Sequence, residues 1–190
     1  IDPTSSYAQA AAMAMGRATD DVIIAAATGT AYTGETGSTS QAQQSVIAAG
    51  TSGLTIAKLR TAKQTFDLAD VDPSIPRHII VGPEQINNLL ATTEVTSSDF
   101  NTIKALVHGE IDTFLGFKFT TSNRLTKSGN DRLCIAFAQD GIALAIGKDI
   151  SARIDERADK SYATQVYYCQ SIGATRMEEA KVLGITCVEA

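Results

Sequence analysis

The chain has 190 residues, 44% apolar and 19% charged, enough to bury the core of one domain or of two intimately packed subdomains. A net charge of −5 and a pI near 5.0 argue against a general nucleic-acid clamp, which needs a basic surface. No apolar run approaches the roughly 20 residues that span a bilayer, and none of the chain reads as a signal peptide.

Asp2-Pro3 is a helix start, with Asp2 as N-cap and Pro3 at the first helical position. Tyr7, Ala11, Met15, Ala18, Val22 and Ala25 recur three to four apart, which predicts one amphipathic helix to about Thr28 with Gly29 as its stop. At 1.5 Å per residue such a helix is about 39 Å long. Residues 29–53, rich in Gly, Thr, Ser and Gln, read as loop or extended chain. A second helix follows, with Thr55 as N-cap, a Leu54–Leu59 staple, and Ile56, Leu59, Ala62, Phe66 and Ala69 on one face; Asp72-Pro73 is its expected end. His78–Val81 reads as a strand that turns through Gly82-Pro83 into a third helix, and a fourth helix fits residues 100–108. The remainder reads as strands: 114–120 broken at Gly116, 133–138 and 142–146 around an Asp140-Gly141 turn, then 151–155, 162–174 and 182–188. The layout is α+β, without the repeating βα units of a doubly wound enzyme.

No constellation amounts to an active site. The two histidines, His78 and His108, sit at a strand mouth and a helix end, and no G-x-S-x-G elbow is present. His108, Glu110 and Asp112 on one short turn lack the second cluster a metal site needs. Gly29, Gly34 and Gly37 follow a helix and lack the Gly-Lys-Ser/Thr ending of a phosphate loop. Cys134, Cys169 and Cys187 are odd in number and have no CxxC spacing; they are expected to be free thiols, with Cys169 and Cys187 the closest pair. The mixed-sign cluster Arg153, Asp155, Glu156, Arg157, Asp159 and Lys160 is either a solvated turn or an ion-pair patch between subunits. Arg17, Asp20 and Asp21 on the first helix carry the same two readings.

Three stretches carry a resemblance: AMGRATDDVIIAAATGTAYTGETG (14–37), TTEVTSSDFNTIKALVHGEIDTFLGF (92–117) and AIGKDISARIDERADKSYATQVYYCQSIGATR (145–176). They resemble major capsid proteins of tailed bacteriophages and prophages, in order and over nearly the whole chain. The resemblance implies the Hong Kong ninety-seven-type phage major capsid fold: a long spine helix, a peripheral β-rich domain and an axial α/β domain. It places the spine helix and following loop at 1–53, the axial domain at 54–147 and the peripheral long strands at 148–190. The implied function is structural: self-assembly into pentamers and hexamers of an icosahedral head enclosing double-stranded DNA. No enzyme activity, cofactor, metal, sequence-specific nucleic-acid binding or membrane is expected. The implied partners are other copies and virion components such as portal or scaffold, in the virion and in the host cytoplasm during assembly. The alternatives are an encapsulin-like shell protein and, in another class, a small α/β enzyme or nucleotide-binding domain. Members of the family carry an N-terminal arm and an extended loop ahead of the spine helix. This sequence starts at that helix, so these residues alone are expected to form a monomer or a small ring.

Overall fold

A computed structural model describes residues 3–43, 45–91 and 113–189. The Asp2 cap, the helix expected over 100–108, and the turn with His108, Glu110 and Asp112 lie outside the described residues.

Helix α1 runs from Pro3 to Thr28, as the Ala-rich periodicity predicts. Its covered stripe is Ala8, Ala11, Met15, Thr19 and Val22, so Tyr7, Ala18 and Ala25 face outward, contrary to the expected face. With alanine on nearly every side, small shifts in the stripe cost little, and the bulky Tyr7 stays at the surface. Gly29 ends the helix: its N–H donates to the Ala25 carbonyl at 2.8 Å, and a Cβ there would sit 2.6 Å from that oxygen.

Residues 29–53 are more ordered than their composition suggests. β1 (Ala31–Thr33) pairs antiparallel with β2 (Thr39–Gln41), and β3 (Val46–Ile47) runs parallel to the last strand. Helix α2 (Ile56–Leu68) begins as expected, with the Thr55 side chain accepting from the Lys58 N–H and with Leu54 and Leu59 fully buried. It stops before Asp72-Pro73. Asp70 takes a left-handed conformation (φ 53°), Val71 N–H bonds the Phe66 carbonyl, and Asp70 N–H bonds that of Asp67. This is a Schellman cap, and the buried Val71 supplies its apolar contact.

β4 (Arg77–Val81) leads into α3 (Pro83–Ala91). The strand expected over 114–120 is a hairpin: β5 (Thr113–Phe114) and β6 (Phe117–Thr121) are joined by Leu115 and Gly116, both at positive φ. That pair is the two-residue turn whose twist suits antiparallel strands. β7 (Lys127–Ser128), β8 (Asp131–Ala138) and β11 (Val182–Val188) complete a seven-stranded mixed sheet of order β3-β11-β8-β4-β6-β5, with β7 on β8. Phe66, Leu59, Ile79, Leu89, Phe117, Ile135 and Ile185 form its fully buried core. The strands expected at 142–146 and 151–155 are one, β9 (Ile142–Arg157); a 3-10 turn and a tip at Ser161 and Tyr162 lead to β10 (Ala163–Arg176).

The chain forms two compact units, Ile1–Ile23 with Leu144–Ala174, and Ile24–Ala143 with Thr175–Ala190. These bounds differ from a division at 53/54 and 147/148. Residues 24–53 and 175–190 join the second unit because β3 and β11 are built into its sheet.

Two of the buried cations of the second unit each bind several backbone carbonyls. Lys58 donates from Nζ to the carbonyls of Ala49, Ser52, Gly53 and Thr186 at 2.8–3.1 Å. Arg176 donates to the carbonyls of Ala27, Gly29 and Gln41 at 2.8–3.0 Å and pairs with Glu179 at 2.7 Å. It thus neutralises the negative end of α1 and holds the β1–β2 hairpin.

Candidate intersubunit surface

The first unit is α1 up to Ile23 with the β9–β10 hairpin from Leu144 to Ala174. Alternation along β10 gives the hairpin two chemically different sides. Thr164, Val166 and Tyr168 line a groove of about 410 Å³ with Tyr7 and Ala11 of α1, and Gln170 donates to the Thr19 hydroxyl at 3.1 Å. Gln165 and Tyr167 face the other way and share a polar groove of about 490 Å³ with Lys148, Ser151, Arg153 and Asp155.

The candidate charges divide between these elements. Arg153 and Asp155 line the polar groove, and Glu156 and Arg157 continue toward the tip. Arg157 closes a bidentate pair on Asp159, holding that carboxyl below its usual range. All four are exposed, as are Arg17 and Asp20 on α1; Asp21 is half-buried. The sequence identified the charges but missed the apolar component: Leu144, Ile146, Ile150 and Ile154 of β9 are all exposed, with Ile154 50% accessible. Their separations of two and four residues could have suggested a shared side, but not that the side is uncovered.

Cys169, on the polar side, hydrogen-bonds Ser151 at 2.9 Å, and bonds from Ser151, Lys148 and Tyr167 bring its pKa down to about 7. The close pair is Cys134 and Cys187, buried on adjacent strands β8 and β11 and hydrogen-bonded to each other; all three cysteines are free. That hydrogen bond together with burial pushes the Cys134 thiol far up.

His78 stacks on Phe137 at 5.5 Å, and burial first, then Lys118, lowers its pKa; this is a packed strand residue. Among the described residues no cluster of three or more His, Cys, Asp or Glu side chains could hold a metal, and no helix is long and apolar enough to cross a membrane.

Solved structures share this combination of a long helix, a two-stranded hairpin and an α/β unit. The chain resembles the Mycobacterium phage Che8 structure (20% identity, TM-score 0.64, covering 94% of this chain and 61% of that one). It also resembles the capsid of an empty GTA particle (12%, 0.70, 98% and 67%) and the capsid of Helicobacter pylori bacteriophage KHP30 (11%, 0.65, 99% and 70%). An encapsulin from Synechococcus elongatus is more distant, at 10% identity and TM-score 0.51 over 76% of this chain and 53% of that one. The chain thus spans less than two thirds of the Che8 protein's length. No curated protein matches it in sequence.

The sequence profile described as "Phage capsid protein" matches residues 1–189, and the chain belongs to that family. It has the Hong Kong ninety-seven-type fold and is a structural capsid subunit of the virion, not an enzyme.

Proposed function

We propose that this chain is the body of a major capsid protein that assembles into pentamers and hexamers of an icosahedral head around double-stranded DNA. The observation that carries this reading is the family match over 1–189, joined to a unit whose hairpin leaves its isoleucines uncovered. The first unit would serve as the peripheral domain and the second as most of the axial domain. Arg17, Asp20, Asp21, Arg153, Asp155, Glu156 and Arg157 would make ion pairs between copies. The exposure of all of them but the half-buried Asp21 supports this, since such pairs become valuable only when a neighbour excludes water. The acidic balance suits a wall that holds DNA without gripping it. Portal or scaffold proteins would meet the shell during assembly in the host cytoplasm. Electron microscopy of the full-length protein expressed alone tests the proposal. Closed shells or capsomer rings are expected, and a dispersed monomer at all concentrations would refute it.

A further inference from the structure

We infer that the second unit carries a binding site for a carboxylate on a short apolar body, in a recess between α2 and the β5–β6 turn that Lys63 and Arg77 line. The inference does not depend on the shell-subunit reading. Three observations lead there.

The first is a buried donor with nothing to bond. Arg77, the first residue of β4, is 7% exposed, and its guanidinium lies over the Phe66 ring at 5.5 Å. Nη1 pairs with Asp67 at 2.8 Å, and Nη2 donates to the Val71 carbonyl at 3.0 Å. Nε is buried and has no partner among the described residues. An unpaired buried N–H is costly, and a guanidinium does not shed its proton at any ordinary pH. An acceptor brought to this Nε therefore gains more than it would gain from an arginine in open water.

The second is the space beside it. Arg77 lines a recess of about 470 Å³, which is the size of a small-molecule site. Lys63 and Asp67, four residues apart on α2, also line it, while Pro73, Ile75, Pro76 and Leu115 contribute apolar surface. The recess is formed without a ligand. Its two prolines fix their own φ, Asp72 accepts from the Ser74 N–H at 2.8 Å, and the Ile75 N–H donates to the Asp72 carbonyl at 3.1 Å. Across from them, Leu115 and Gly116 belong to the tight β5–β6 turn. A preformed site spends little on ordering when it binds.

The third is charge. Two cations and one carboxylate line the recess, a net of +1. Arg77 and Asp67 balance each other, whereas Lys63 is exposed and has no ion-pair partner among the described residues. One added negative charge restores neutrality. A carboxylate supplies it, with two oxygens to accept from Nε and from the Lys63 ammonium. A phosphate monoester would bring nearly two charges to one spare cation, with the Asp67 carboxylate alongside, and fits less well. The apolar lining selects a carboxylate attached to hydrocarbon over a bare one.

The test titrates the 190-residue chain with hexanoate and, as a neutral control of similar shape, with hexanamide. The readout is the Arg77 Nε–Hε signal in nitrogen-15 spectra, assigned through its bonds in the wild-type chain. Hexanoate should move it saturably, with a Kd on the order of 1 mM, and hexanamide should leave it in place. Lys63 is exposed, so Lys63→Gln keeps the fold; it should weaken hexanoate about fivefold, and added salt should shrink that difference. A still Nε–Hε signal with hexanoate up to about 20 mM, or equal movement with hexanamide, would overturn the inference. Unchanged hexanoate affinity in Lys63→Gln would overturn it too. None of these outcomes bears on the capsid reading, which electron microscopy tests separately.

Discussion

Replacing Arg176 by Met should be among the most damaging substitutions in the chain that touch no apolar core residue. The side chain is 1% exposed, and its guanidinium satisfies the carbonyls of Ala27, Gly29 and Gln41 while pairing with Glu179. Methionine fills a similar volume, so the packing term is small and the polar term is isolated. Removing one partner of a buried charge pair costs about 3–5 kcal/mol, because the other charge is left uncompensated. Glu179 is 29% exposed and recovers part of that from water, whereas the carbonyls lose donors at about 1 kcal/mol each. Together these suggest a loss of about 4 kcal/mol. At this chain length about 1 kcal/mol moves the melting midpoint by roughly 2–4 °C, so Arg176→Met should melt about 8–16 °C lower. Urea unfolding followed by circular dichroism should give the same loss. Arg176→Lys keeps the charge but not the fork, and should lose about half as much. A midpoint within about 2 °C of wild type for Arg176→Met would refute the idea that this side chain ties the end of α1 to the β1–β2 hairpin.

Lys58→Met should cost about 3 kcal/mol by denaturant titration, since four carbonyls lose one ammonium; no change would mean that water replaces the cation. Arg132 first, then Lys127 and Gln85, hold the Glu189 carboxyl at about 2, below its ordinary 4.5. That stabilisation is fully present above about pH 4.5 and is lost as pH falls toward 2, so the gap of about 3 kcal/mol between wild type and Glu189→Gln should close over that window in acid titration. Iodoacetamide should label one thiol per native chain, Cys169, with a rate midpoint near pH 7, and three after denaturation; equal labelling of Cys134 in the native protein would contradict its burial. Gly141→Ala places a Cβ 2.8 Å from the Lys181 carbonyl oxygen, and should destabilise by about 2 kcal/mol in thermal melts.

Where structure is local, the sequence was legible. The Ala-rich periodicity of α1, the Thr55 cap and the Gly82-Pro83 entry into α3 are each decided within a few residues, and each stands in the fold. Pairing over long separations was not legible. β3 has no strand signature of its own; it is a strand because Gly184 and Ile185, far along the chain, offer it backbone partners. The left-handed Asp70 ended α2 before the proline could, and an aspartate is a weaker signal there than a glycine. At the candidate surface the charges are legible by type, whereas the exposure of the isoleucines is not. Whether an apolar side chain is covered depends on where α1 lies, which no local spacing records.

In the seven-stranded sheet, β11 lies between β3 and β8, so a strand from residues 182–188 occupies an interior place. The first unit likewise needs residues 144–174 against the helix that began the described chain. During synthesis, at about 5–20 residues per second, neither unit can close until nearly all of these residues have been made. Each unit is therefore closed by contacts between residues far apart in the sequence, and its folding waits on the emergence of its distant strand.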